Sequence, residues 1–314
     1  MSIFLFLINF TLGLSIFMLG LRLLGSTLSS ILGFRLRTFL TQFTSTKVRG
    51  LFTGVLTTSL VQSSSIVNST MVVLVDSGVL AIPQALGVIL GANIGTTITA
   101  QIVALPVERA SVPLLLAGMI LIYACKRPAL GTAVCSLGAV FFGLSYTTVV
   151  LAPFLRLPVV QGILLELTGT PLRACLVGAV LTSVVQSSSA VTGLVVGLAG
   201  RNLLALPAAV GVALGSNVGT VITTLLASLG RSRASRATAL GDVLFNLGGV
   251  LLILPVFSLF LQLVRFFSTH PSRQVAIAHT LFNLITALAT LPLLDYLASL
   301  AWAWAGIRPR NKNK

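Results

Sequence analysis

The sequence predicts an all-α polytopic membrane protein built from two inverted-topology repeats, each with a re-entrant helical hairpin carrying Gln-Ser-Ser-Ser and a broken helix. Three observations carry this expectation. The 314 residues are 56% hydrophobic and only 8% charged, against roughly 25% charged in an ordinary soluble domain. The stretch Gln62, Ser63, Ser64, Ser65 returns as Gln186, Ser187, Ser188, Ser189, at an offset of 124 residues. The twenty Lys and Arg lie mostly in short clusters between apolar runs, the loop bias that orients membrane proteins.

In chain order, residues 3–24 form a first spanning helix ending near Arg22. The connector 25–47 interleaves Phe34, Leu36, Phe39, Leu40 and Phe43 with Arg35 and Arg37, a pattern suited to the headgroup plane. Run 49–75 holds the first Gln-Ser-Ser-Ser, and run 80–105 is broken by Pro83, Gly87, Gly91, Asn93 and Gly95. Runs 113–125, closed by Lys126 and Arg127, and 130–155, closed by Arg156, cross once each and complete a first repeat over 1–155. The second repeat, 156–305, brings 172–200 with the second motif and 203–229 with Pro207, Gly211, Gly215, Asn217 and Gly219. Two further crossings, 237–264 and 275–304, precede a basic cytoplasmic tail over 306–314.

The 124-residue offset aligns the halves without gaps. Eight of thirteen positions agree between 53–65 and 177–189, and eleven of seventeen between 83–99 and 207–223. Chance similarity in apolar sequence pairs Leu with Val; it does not keep Gln, Asn, Pro and three Ser in register, so the chain is internally duplicated. With each motif run as a hairpin and every other long run as a crossing, placing 308–314 inside leaves fourteen Lys and Arg inside and six outside. The N-terminus is then outside, and the hairpins enter from opposite faces. Inverted repeats whose broken helices meet at the midplane are the usual architecture of a secondary transporter.

Four consecutive polar side chains at membrane depth are costly unless they meet one another, an ion or a polar substrate. Thr57, Thr58 and Ser59 before the first motif, and Thr182 and Ser183 before the second, add further hydroxyls. A half-helix N-terminus at such a break suits an oxyanion, whereas hydroxyls and freed carbonyls suit a small hard cation such as Na+. Neither motif contains Arg or Lys, so a dianion there needs compensating charge, for which bound cations are an economical source.

Gly87, Gly91 and Gly95, with Gly211, Gly215 and Gly219, form small-xxx-small ladders for close helix approach. Asn93 with Thr96, and Asn217 with Thr220, are polar residues that packing does not need, and are candidates for ion or hairpin-tip contacts. Asp242 and His279 occupy equivalent places before a shared Leu-Phe-Asn frame, and an intramembrane ionisable residue is a functional candidate. Cys125, Cys135 and Cys175 lack metal-site spacing and read as packing residues. Nucleic acid is not an expected partner, and a Ser nucleophile lacks its base, because neither His270 nor His279 lies in a Ser motif.

At these residues the chain resembles the sodium-dependent phosphate cotransporter family, the type II Na+/Pi group with bacterial and animal members, over essentially residues 1–305. The resemblance implies that Gln62, Ser63, Ser64, Ser65, Gln186, Ser187, Ser188 and Ser189 line a central phosphate and Na+ site. Thr58, Ser59, Asn93, Thr96, Thr182, Ser183, Asn217 and Thr220 are expected to support the hairpins or Na+. It also implies no enzymatic activity and no cofactor, with Na+ as coupling ion and inorganic phosphate and the lipid bilayer as partners. The expected location is the cell (inner or plasma) membrane, with a cytoplasmic C-terminus. Many bacterial members append a helical domain resembling the phosphate-uptake regulator PhoU, and this chain is expected to lack one. Another oxyanion, or phosphate export rather than uptake, remains open.

Overall fold

A computed structural model describes residues 3–31, 36–105 and 110–306. Phe34 and Arg35 of the connector, Glu108 and Arg109, and residues 307–314 of the basic tail lie outside the described residues.

The first half runs α1 (Ile3–Ile31), α2 (Leu36–Phe43), α3 (Lys47–Val61), α4 (Ser64–Asp76), α5 (Ile82–Val103) and α6 (Ser111–Tyr123). The second runs α7 (Pro128–Leu155), α8 (Pro158–Thr168), α9 (Pro171–Val185), α10 (Ser188–Gly200) and α11 (Leu206–Ser228). The chain then continues through α12 (Arg233–Ile253), α13 (Phe257–Phe267), α14 (Pro271–Thr290) and α15 (Leu294–Ala305). Moving α3 and α4 by 124 positions gives α9 and α10 to the residue, and moving α5 gives α11 to within one residue at its end. Even the caps repeat: Thr46 receives the Arg49 N–H at 3.2 Å, and Thr170 receives that of Arg173 at 3.3 Å, satisfying one orphan donor at each helix start. The duplication read in the sequence is thus a duplication of local structure.

Among the described residues, six runs are long and apolar enough to cross a membrane, which makes this a multi-pass membrane protein. They are Phe4–Ile31, Ile82–Val103, Pro128–Leu155, Leu206–Ser228, Arg233–Phe267 and Pro271–Ala305. The last two are each interrupted by a short 3-10 turn, at Leu254–Val256 and Leu291–Leu293, where Pro255 and Pro292 remove a helical donor. Large apolar side chains such as Phe4, Val184 and Phe266 stand on the outside, a surface that water would not tolerate.

The centre is made by the two Gly-Asn helices. In α5 and α11, 78% and 72% of the apolar window is buried, against 22% in α1. Packing is backbone to backbone there: a Cβ on Gly91 would run into the carbonyl oxygen of Leu51, and one on Gly215 into that of Cys175. Leu51 and Cys175 are themselves 124 residues apart, so each Gly helix seats on its own α3 or α9 in the same way.

Two boundaries differ from the sequence reading. The first helix continues to Ile31, past the Gly25, Ser26 and Thr27 that look like a loop start, with Gly25 packed against the Val61 carbonyl rather than opening a turn. The expected crossing at 113–125 is a helix of only 13 residues, about 20 Å long and short of the roughly 30 Å hydrocarbon core.

Candidate functional site

Both Gln-Ser-Ser-Ser stretches are helix breaks of one construction. The α3 helix ends at Gln62, in the left-handed region at φ 57 and ψ 24, with its N–H donating to the Thr58 carbonyl at 2.7 Å. The α9 helix ends at Gln186, at φ 56 and ψ 28, with its N–H donating to Thr182 at 2.7 Å. A left-handed non-glycine residue costs on the order of 1–2 kcal/mol. Bearing that cost twice, at equivalent positions, marks the turn as something the fold retains for use.

Ser63 and Ser187 then open the next helices. Each is extended, and its hydroxyl accepts a backbone N–H, from Ile66 at 3.4 Å and from Ala190 at 3.2 Å. The first intrahelical bonds come from Val67 and Val191. The N–H groups of Ser64 and Ser65, and of Ser188 and Ser189, therefore have no acceptor within their helices, and they sit at the positive ends of the α4 and α10 dipoles.

The two breaks share a cavity of about 640 Å³, which Gln62 and Ser63 line from one side and Gln186, Ser187 and Ser189 from the other. Arg22, Gly25, Ser26 and Ser29 of α1 contribute a further wall. Gly25 is required for that wall: any Cβ there would collide with the carbonyl oxygen of Val61, next to the Gln62 cap. Ser64 and Ser188 are buried and do not line this cavity. Ser65 lines a neighbouring opening of about 500 Å³ with Ser69, Thr70 and Thr223.

Gln62 is held at both ends of its amide. Its Nε2 donates to the Ser59 carbonyl at 2.6 Å, and its Oε1 accepts from the Thr99 hydroxyl at 2.7 Å. No hydrogen bond fixes the Gln186 amide among the described residues, and its side chain is exposed. The backbone is therefore symmetric and the glutamine side chains are not.

The hydroxyls of Thr58 and Thr182, just behind the two caps, are buried without a hydrogen-bond partner. Ser59 donates to the Val55 carbonyl of its own helix at 2.7 Å, whereas Ser183 reaches the Gly219 carbonyl of α11 at 3.4 Å. Thr96 and Thr220 donate to the carbonyls of Ala92 and Ser216, and Asn217 to Ala213 and Leu214, all within their own helices. Asn93 instead reaches Asn246 at 3.1 Å.

That contact belongs to a buried polar cluster around Asp242. Its carboxylate accepts from Thr224 at 2.7 Å and from Asn246 at 2.7 Å, with a longer 3.5 Å contact from Asn68. His279, its counterpart in the Leu-Phe-Asn frame, is fully buried with neither ring nitrogen bonded among the described residues. Neither residue lines the shared cavity. Outside the membrane spans, Asp76 at the end of α4 takes bonds from Arg231, the Ser232 amide and Ser235. Hydrogen bonds from Ser232 first, then Ser235 and Arg231, hold its carboxyl well below the usual carboxylate range. No group of three His, Cys, Asp or Glu able to hold a metal occurs among the described residues.

Sequence reasoning missed Arg22, Thr99, Asn68 and Thr224. Thr99 had a signal, since it closes the repeated Gly-Asn frame together with Thr223. Arg22 had none beyond being the single charge of α1.

A family model described as Na+/Pi-cotransporter matches residues 16–148 and 156–294. The uncharacterized protein YqeW of Bacillus subtilis is 31% identical over 293 residues, 93% of this chain and 95% of that protein. The putative inorganic phosphate export protein YjbB of Escherichia coli K12 is 29% identical over 282 residues, 89% of this chain; the match covers 52% of YjbB, so the chain spans about half its length. The human sodium-dependent phosphate transport protein 2C is 38% identical over 134 residues, 41% of this chain and 22% of that protein. No solved structure matches the chain.

Proposed function

The chain belongs to the Na+/Pi-cotransporter family, a family of transporters rather than enzymes, and on that premise we propose that it couples Na+ to the movement of inorganic phosphate by alternating access. The observation that carries this reading is the pair of left-handed Gln caps facing one cavity. Two helix N-termini offer unpaired amides where an oxyanion would sit. Thr58 and Thr182 offer buried hydroxyl oxygens with unused lone pairs, the ligand type a small hard cation takes.

In this reading each break is the tip of a re-entrant hairpin, and the repeats are inverted in the inner membrane, with the N-terminus outside and the C-terminus cytoplasmic. The short α6 completes its crossing with the flanking Ala110, Ala124 and Cys125, as Lys126 and Arg127 reach to the interface. Equal helix bounds at the 124-residue offset support the repeat, and the Lys and Arg count supports its inversion.

Proteoliposomes test this directly. An imposed Na+ gradient is expected to drive radiolabelled phosphate flux that choline does not support; equal flux in both salts overturns the coupling. Export is a second reading, favoured by the name of the YjbB relatives, putative inorganic phosphate export proteins. Reversing the gradient, with arsenate and sulfate as competitors, separates direction and anion choice.

A further inference from the structure

We infer that Arg22 is the cationic anchor of the shared cavity, the side chain that sets its preference for a doubly charged oxyanion. The inference rests on the transport reading above and adds a residue to its site.

The α1 helix spans 29 residues and carries one charge, Arg22. A charge within an apolar spanning helix is costly and is retained where it meets a partner, a cavity or water. Among the described residues no carboxylate pairs with it: Asp76 pairs with Arg231 and Asp295 with Lys47, while Asp242 is bonded to Thr224 and Asn246. Among the described residues Arg22 has no hydrogen bond. It does have the cavity, which it lines together with both Gln-Ser breaks.

Its place there is fixed by the fold. Gly25 seats α1 against the Val61 carbonyl beside the first cap. Arg22 lies three residues earlier, on the same face of the helix, and so projects onto the wall that faces Gln62 and Gln186. The charge is not duplicated: 124 positions further on stands Tyr146.

Charge arithmetic explains why one such residue is useful. Each helix N-terminus is equivalent to roughly half a positive charge, so α4 and α10 together offset about one. A phosphate dianion brings about two. Arg22 supplies the difference without a bound cation, and its planar fork is suited to two phosphate oxygens at once. Na+ is then not the sole source of compensation for the anion.

The test compares phosphate flux in proteoliposomes on either side of the second ionisation of phosphate. Arg22→Gln is expected to raise the phosphate KM by about tenfold or more and to do so chiefly for the dianion, flattening the pH profile. Arg22→Lys should recover most of the dianion preference. The double variant Arg22→Gln, Ser26→Arg moves the charge one turn along the same wall and should recover part of it, which a loss through misfolding would not permit. An unchanged KM and pH profile in Arg22→Gln overturns the inference, as does a loss that neither Lys nor the moved Arg restores. A wild-type protein that moves no phosphate refutes the transport reading itself, whatever the variants do.

Discussion

Thr99 on α5 donates its hydroxyl to the side-chain carbonyl of Gln62 at 2.7 Å, so the central helix orients the amide that lines the cavity. Thr223, its equivalent on α11, bonds within its own helix to Thr220 instead. One glutamine is thus pre-oriented and the other is free to turn.

Removing that restraint should weaken substrate binding more than folding. Thr99→Val is expected to raise the phosphate KM by roughly two- to tenfold, the range of one lost hydrogen bond. Thr99→Ser should stay near wild type. Flux measurements with a thermal melt alongside check both halves, and an unchanged KM in Thr99→Val refutes a role for the contact.

A buried hydroxyl with no partner destabilises the empty protein, by about 1–3 kcal/mol for each such group. Thr58→Val and Thr182→Val are therefore expected to melt at or above the wild-type temperature in Na+-free buffer. In transport they should need several-fold more Na+ for half-maximal flux, because the lost oxygen is one the ion would use. A variant melting well below wild type without Na+ would show that these hydroxyls have a structural bond after all.

The Gly ladders make a contrasting prediction, one of assembly. Gly91→Ala and Gly215→Ala each place a Cβ into a neighbouring carbonyl oxygen, and overpacking of this kind costs about 1–3 kcal/mol. Both should lower the melting temperature to a similar degree, since the two contacts are equivalent. Melts that differ widely between them would show that the halves are not equally packed.

Asp76 ties the end of α4 to the segment that begins α12. A carboxyl held below its ordinary value of 3.8 contributes stability above that value and loses it only as the pH falls through the lower, folded value. Asp76→Asn should thus lower the melting temperature by an amount that stays constant between about pH 7 and pH 5. A gap that closes in that interval would contradict the low value.

Much of this was legible because polar residues stand out in apolar sequence. Gln62 and Gln186, with their serines, could be placed at helix breaks, and the offset announced that the breaks would match. Gly91 and Gly215 could be read as close-approach positions because only backbone contact rewards glycine at four-residue spacing. Arg22 was hidden by its own plausibility, since a basic residue near an expected helix end looks like a topology signal. Small residues from Gly25 to Ser30 concealed that α1 runs on to Ile31. Two of the partners of Asp242 come from α4 and α11, and no local pattern in the sequence joins Asn68 and Thr224 to it.

The amides of Ser64, Ser65, Ser188 and Ser189 belong to the main chain, and every residue but proline supplies one. An alanine scan across the two motifs would leave those donors in place and register only the caps and the glutamines. If these amides hold the anion as proposed, they would survive a survey of side chains almost unseen, and so could persist in distant sequences that no longer spell the motif. Proline in the first turn of α4 or α10, which deletes one amide while keeping the helix start, is the substitution that would expose them.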